Sequence, residues 1–158
     1  MILGRLRAIG GYDVGHRVLD TAKHGLPQHR ECVFIVGIHR RNSKLKGMAA
    51  FRWPRPVSCC LRACLLDPPR YARTFGRPSG PGRRQRLLQT FSEMEAAGLG
   101  RHSDDVVVVD MDGAKAHWMR DVSPCLTRNR VALGFYLPAR GRRMTLAERF
   151  KLQGIPAG

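Results

Sequence analysis

The stretch "GLPQHRECVFIVGI", residues 25–38, places a turn, a glutamine and an arginine directly ahead of an apolar run. Its Gly-Leu-Pro start is typical of a turn. The run Cys32–Gly37 is short, apolar and rich in β-branched residues, which predicts a strand buried on both faces. Residues Tyr12–Leu19 predict another strand upstream, and the connector between the two permits either pairing direction. Gln28 and Arg30 therefore lie at the junction of the turn and the strand.

Charge is the strongest global feature of the chain. The 158 residues carry 28 Lys+Arg against 12 Asp+Glu, a net charge of +16, and 43% are apolar, enough for a core. So basic a surface favours polyanions, with nucleic acid the first candidate partner and an anionic membrane the second. A signal peptide and an apolar run near the roughly 18 residues of a membrane helix are both missing. The sequence predicts a soluble, reduced, intracellular protein of one domain or parts of two.

Two clusters carry metal-ligand residue types without the spacing that metals need. Cys59, Cys60 and Cys64 belong to a set of five cysteines, but no second pair follows at zinc-finger spacing. The aspartates around the predicted strand Val106–Val109 lack the remaining ligands of a calcium loop. We expect the cysteines to be buried thiols, the aspartates to be strand-end and turn residues, and neither cluster to bind a metal.

The other segments carry clear helix signals. The first helix is predicted to carry Ile2, Leu3, Leu6 and Ile9 on one side, and linkers are predicted at 40–47 and 76–84. A second helix is predicted over 83–97, with a stop at Gly98 and the apolar stripe Leu87, Leu88, Phe91 and Met94. The last helix is predicted to begin at a Thr145-x-x-Glu148 capping box and to stop at Gly154, with the apolar stripe Leu146, Phe150 and Leu152.

Two separated stretches resemble the C-terminal motifs of the DNA cytosine-5 methyltransferase family. "GYDVGHRVLDTAKHGLPQHRECVFIVGI", residues 11–38, is similar to that family's Gln-x-Arg-x-Arg motif with its preceding Tyr-x-Val and Gly-x-Pro turn. "SPCLTRNR" at 123–130, with "RRMTLAERFKLQGIP" at 142–156, resembles the motif that closes the target-recognition region. Their order, with a variable basic region between them, strengthens the resemblance.

The resemblance implies an α/β fold: the C-terminal strands of a Rossmann-like, S-adenosylmethionine-dependent sheet and a small, irregular target-recognition domain, together an incomplete domain. Residues 1–39 would form the end of the catalytic Rossmann-like domain, and residues 40–122 would form a basic target-recognition region. Residues 123–158 would form the closing motif and a helix that returns to the catalytic domain. Gln28 and Arg30 would support the pocket of a flipped cytosine. Cys32 stands where the family has arginine, which removes an expected donor to the base.

The family's catalytic motifs are missing from this sequence. It contains no Phe-x-Gly-x-Gly loop for S-adenosylmethionine, no Pro-Cys-Gln nucleophile and no Glu-Asn-Val acid, and Pro124-Cys125 belongs to the closing motif. We therefore expect an inactive chain that binds no S-adenosylmethionine alone and whose partner is the missing N-terminal half. We expect the chain to be a truncated gene model, half of a split enzyme, or a degenerate relative kept for DNA binding.

DNA is the expected macromolecular partner, and no membrane partner is expected. In a eukaryote the expected location is the nucleus. The residues expected to contact it are Arg40, Arg41, Arg83, Arg84, Arg128 and Arg130. The alternative function is a non-catalytic basic protein that binds RNA or DNA by charge. Open strand edges and an uncovered apolar face would favour the methyltransferase interpretation, and a closed core would favour the alternative.

Overall fold

The computed structural model describes residues 2–66, 81–100, 105–112, 117–127 and 134–156. Its helices and strands are α1 (Ile2–Ala8), β1 (Tyr12–Asp20), β2 (Glu31–His39), α2 (Pro81–Ala96), β3 (Val107–Asp110), β4 (His117–Arg120), β5 (Phe135–Leu137), β6 (Arg142–Arg143) and α3 (Leu146–Leu152), with short 3-10 turns at Thr21–Lys23, Met48–Ala50, Leu61–Cys64 and Pro138–Arg140. This is a mixed α/β chain with two antiparallel sheets. Within the described ranges no helix is long and apolar enough to span a membrane.

β1 and β2 form a two-stranded antiparallel ribbon that pairs from Tyr12 with His39 to Asp20 with Glu31. The prediction that the second strand is buried on both faces is wrong, because Val33 is 63% exposed on one face and Phe34 is 46% exposed on the other. Side chains alternate between the faces of a strand. A two-stranded ribbon cannot bury both sets without elements packed on each side.

The second sheet has the strand order β4-β3-β5-β6 and is antiparallel throughout. α2 covers one face of it with Leu87, Phe91 and Met94. Leu88 was expected in the same stripe but is 53% exposed, because it follows Leu87 by one residue and so turns about 100° away from it. The predicted stop is confirmed: Gly98 has φ +77 and the Leu99 amide donates to the Met94 carbonyl at 2.9 Å.

The opposite face of this sheet carries the second hydrophobic cluster. Phe135 and Leu137 of β5 pack with Leu61 and Cys64 of a 3-10 turn and with Leu152 of α3. Both faces of the four-stranded sheet are therefore covered, whereas on the ribbon Val33 and Phe34 stay exposed.

α3 begins at the predicted capping box. The Glu148 amide donates to the Thr145 hydroxyl at 3.2 Å, and the Thr145 amide donates to the Glu148 carboxylate at 2.7 Å. The predicted apolar stripe is wrong for Leu146 and Phe150, which are 58% and 42% exposed. The buried side of α3 consists of Glu148 and Leu152, four residues apart on one face.

The linker predicted at 76–84 needs correction at its end. Residues 81–84 form the first turn of α2, where Pro81 is suited to a helix start. Residues 76–80 lie outside the described ranges.

Candidate functional site

Gln28 lies where three distant segments meet, and only 2% of it is exposed. Its backbone pairs with that of Ser123 in a parallel bridge. The His29 amide donates to the Ser123 carbonyl and the Ser123 amide donates to the Pro27 carbonyl, both at 2.8 Å. The turn ahead of β2 is thus fastened to the segment that opens the closing motif.

The Gln28 side chain adds the end of α3 to this junction. Gln153 donates its Nε2 to Gln28 Oε1 at 3.0 Å, and Thr21 donates its hydroxyl to the Gln28 carbonyl. Gly154 packs closely, since a Cβ there would lie 3.3 Å from Leu26 Cδ2. Gln28 Nε2 is buried without a hydrogen-bond partner among the described residues. We call Gln28, Ser123 and Gln153 the glutamine junction.

We expect Gln28→Ala to lower the free energy of unfolding by about 1–3 kcal/mol, because it removes a buried hydrogen bond and leaves space around Gln153. In a double-mutant cycle, Gln28→Ala and Gln153→Ala should couple by about 0.5–1.5 kcal/mol. Urea denaturation measures both values. Gln89→Ala on the exposed side of α2 is the matched control, with a change within about 0.5 kcal/mol; additive effects of the two junction variants would contradict the expected coupling.

Asp20 fixes the backbone that carries Arg30. Its Oδ2 lies 2.8 Å from His29 Nδ1, and its Oδ1 accepts from the Ala22 and Arg30 amides at 3.1 Å each. Burial acts to raise the pKa of Asp20, but the hydrogen bonds from Ala22, His29 and Arg30 together outweigh it and hold the pKa below its ordinary value. The Arg30 side chain is exposed, so a rigid backbone presents a guanidinium at the surface.

The structure separates the other predicted residues from the glutamine junction. Arg40 and Arg41 are exposed directly after β2, and Cys32 is half-buried within β2. In the first turn of α2, Arg84 is exposed and Arg83 is half-buried. Arg128 and Arg130 lie outside the described ranges. Of the cysteine cluster, Cys64 is buried, Cys59 half-buried and Cys60 exposed.

Sequence reasoning missed a buried ion pair. Arg142 and Glu148 are 1% and 0% exposed, and two parallel bonds of 2.7 and 2.8 Å join the guanidinium to the carboxylate. The Leu66 amide donates to the Glu148 carboxylate at 2.8 Å. The Leu66 carbonyl accepts from the Arg142 guanidinium at 2.9 Å and from the Arg140 guanidinium at 2.6 Å. The available signal was the spacing of Glu148 and Leu152, which places both on one side of α3.

The charge of Glu148 is stabilised in its buried position. Burial acts to raise the pKa of this carboxyl, but the hydrogen bonds from Arg142, Thr145 and Leu66 outweigh burial and lower the pKa below its ordinary value. The Glu148 carboxylate therefore stays ionised near neutral pH, and the pair ties the chain at Leu66 to the start of α3.

Comparison with protein families adds the decisive observation. The model of the family described as C-5 cytosine-specific DNA methylase matches residues 1–158. The chain belongs to the C-5 cytosine-specific DNA methylase family. Searches of the curated proteins and of the solved structures find no match.

Membership in the methylase family confirms the resemblance drawn from the two motifs. It relates the chain to enzymes that methylate cytosine in DNA with S-adenosylmethionine. In this methylase-related chain the two motif segments meet at the glutamine junction, through the pairing of Gln28 with Ser123 and the bond from Gln153.

Among the described residues, the carboxylate that lines the apolar groove of the ribbon is not free to accept from the ribose of S-adenosylmethionine. Asp20, which lies beside an apolar groove of the ribbon, already accepts from Ala22, His29 and Arg30. No group of three or more His, Cys, Asp or Glu side chains placed to hold a metal occurs in the described ranges either.

Proposed function

We propose that this chain supplies base-pocket and DNA-recognition parts of a DNA cytosine-5 methyltransferase. The complete enzyme would transfer the methyl group of S-adenosylmethionine to C5 of cytosine. The observation that carries the proposal is the glutamine junction, where the segment around Gln28 is hydrogen-bonded to Ser123 and Gln153 across the intervening basic region. Binding of nucleic acid by charge alone gives no functional reason for the two motif segments to meet.

The exposed apolar residues on one face of the ribbon support a second part of the proposal, that another part of the enzyme completes the catalytic sheet. On the face that carries α1, Val18, Val33 and Ile35 are 55%, 63% and 43% exposed. Each strand of the ribbon pairs along one edge only within the described ranges. An apolar face beside open edges is an aggregation risk unless something covers it. We propose that the N-terminal catalytic half covers this face.

The roles of this chain's residues follow from the chemistry of a flipped base. Reaching C5 requires the cytosine to leave the duplex and donors to be aimed at its polar edge. Arg30, whose backbone amide donates to Asp20, would donate from its guanidinium to the base or to the catalytic carboxylate. Gln28 positions Arg30 by fastening the turn ahead of β2. The thiolate that attacks C6 and the acid that serves N3 would come from the other half.

Complementation tests this proposal. We expect the chain alone to transfer no methyl group and to bind no S-adenosylmethionine in calorimetry. Co-expressed with a segment that carries Phe-x-Gly-x-Gly, Pro-Cys-Gln and Glu-Asn-Val, it should methylate DNA, measured as tritium transferred from labelled S-adenosylmethionine. Arg30→Ala should then lower kcat by about 10²–10³-fold, as the loss of one preorganised donor does.

Two matched variants sharpen the complementation experiment. Arg30→Lys keeps the charge but loses the planar fork of donors, so its activity should fall nearly as far as that of Arg30→Ala. Cys32→Arg restores the family's third donor and should raise activity. Full activity of both Arg30 variants in the complemented enzyme would refute the role given to Arg30.

The alternative function keeps one supporting observation. The four-stranded sheet is covered on both faces by α2 and α3, so that part of the chain has a closed core without a partner. A non-catalytic basic protein would bind DNA or RNA through its charge and would gain no activity from complementation. For either function we propose an intracellular location, which in a eukaryote is the nucleus.

A further inference from the structure

The segment "GMAAFRWPRPV", residues 47–57, crosses the face of the ribbon opposite α1, and we call it the strap. At its start the Met48 amide donates to the Asp13 carboxylate at 2.6 Å. At its end the Val57 amide donates to the Lys23 carbonyl and the Gly25 amide donates to the Val57 carbonyl, both at 2.9 Å. The strap is therefore held to the ribbon at both ends.

The strap and the ribbon enclose an aromatic groove of about 210 Å³. Phe51 and Trp53 of the strap meet edge to face, with ring centroids 5.1 Å apart and planes at 86°. Phe34 of β2 lines the opposite wall, and Leu19, Val36 and Pro54 complete the apolar lining. The volume lies below the roughly 300–1,000 Å³ typical of sites for drug-sized ligands, so the groove suits one planar ring.

Cationic side chains lie along one end of the aromatic groove. Arg17 is opposite Phe34 in the ribbon register, and Arg17 and Lys23 line an adjoining groove that shares Pro54 with the first. Arg52 lies between Phe51 and Trp53 on the strap, Arg55 lies two residues after Trp53, and both arginines are exposed.

Two carboxylates also line these grooves: Asp20 borders both the aromatic and the adjoining groove, and Glu31 borders the adjoining one. Asp20 is occupied by His29 and two backbone amides, and Glu31 is exposed at the start of β2. Arg17 and Lys23 of this groove, with the strap arginines, outnumber the two carboxylates, and this arrangement complements an aromatic ring attached to an anionic group.

We propose that the aromatic groove binds an unpaired nucleotide of a single-stranded nucleic acid. The base stacks against Trp53 and Phe51, and the adjoining phosphate lies against Arg17 and Lys23. Aromatic platforms beside basic grooves bind single strands because every unpaired base offers a π face, whereas bases inside a duplex are already stacked. This binding is independent of methyl transfer. The strap lies on the ribbon face opposite α1, whereas the catalytic half is proposed to cover the face that carries α1.

Single-tryptophan variants test the groove. Trp118→Phe leaves Trp53 as the reporter, and Trp53→Phe leaves Trp118, which packs beside α2. An oligothymidylate of about 10 nucleotides, within the site sizes of single-strand binders, should quench the fluorescence of the Trp118→Phe variant and leave that of Trp53→Phe unchanged. Should Trp118→Phe fail to fold, the difference between the unsubstituted chain and Trp53→Phe gives the same signal.

Binding by anisotropy separates stacking from charge. Trp53→Ala should weaken binding of the oligothymidylate about 10- to 100-fold and leave binding of an abasic strand of equal length unchanged. Arg17→Gln should weaken both probes. The proposal is overturned if the oligothymidylate binds without quenching Trp53, or if Trp53→Ala weakens the abasic strand as much as the base-bearing one. A failure of complementation leaves these outcomes unaffected.

Discussion

Glu148→Gln should lower the free energy of unfolding by about 3–5 kcal/mol, because it leaves the Arg142 guanidinium buried without a counter-charge. Burial of both residues is nearly complete, and the carboxylate also accepts from the Leu66 and Thr145 amides. Loss of the charge weakens all these hydrogen bonds at once. Urea denaturation at neutral pH measures the change.

The acid dependence of stability gives a second readout for Glu148. Its pKa lies below the ordinary value of 4.5 in the folded chain, so its contribution is present above that value and is lost as the pH falls through the folded pKa. The difference between the unsubstituted chain and Glu148→Gln should therefore shrink in acid.

Two control variants complete the Glu148 experiment. Glu93→Gln, exposed on α2, should change stability by less than about 0.5 kcal/mol. The double variant Arg142→Met with Glu148→Leu should recover part of the loss, because it removes the unpaired guanidinium but leaves the Leu66 and Thr145 amides without their acceptor. Equal stability of Glu148→Gln and the unsubstituted chain at neutral pH would contradict the role given to the pair.

The affinity of the chain for duplex DNA should fall about 10³–10⁵-fold between 50 and 200 mM salt if six to ten phosphates are neutralised, because counterions are released on binding. The net charge of +16 and the exposed Arg40 and Arg41 after β2 are the basis of this expectation. Fluorescence anisotropy over a salt series measures the slope of log affinity against log salt.

Charge-removing variants locate these phosphate contacts. Arg40→Gln and Arg41→Gln should each reduce the steepness of the slope by about 1 and weaken binding similarly on different DNA sequences. Glu93→Gln removes a negative charge and should leave the slope nearly unchanged. A shallow slope would contradict the expected number of phosphate contacts, and Arg40 and Arg41 variants with the same slope as the unsubstituted chain would place the contacts elsewhere on the chain.

Several elements were predictable because their signals are local. The β-branched run after Pro27 forms β2, Gly98 ends the helix that carries Leu87 and Phe91, and the Thr145 cap begins α3. A cap or a turn depends on backbone groups a few residues away, so the sequence window contains both partners.

The errors arose where burial depends on distant segments. An apolar run predicted a strand covered on both faces, but nothing described covers Val33. Glu148 was recognised as a cap, but its pairing with Arg142 depends on the fold of β6 against α3 and on Leu66. The distance along the chain between Leu66 and Glu148 leaves no periodic signal.

The candidate site divides in the same way. Sequence alone determined the motif residues Gln28 and Arg30, the family resemblance and the basic charge, because residue identity and order carry that information. Only the tertiary structure decided that Gln28 is buried against Ser123 and Gln153 while Arg30 stays exposed, and that Trp53 lies over the ribbon. These contacts join segments far apart in the chain, and packing and hydrogen bonding across that distance are set by the fold as a whole.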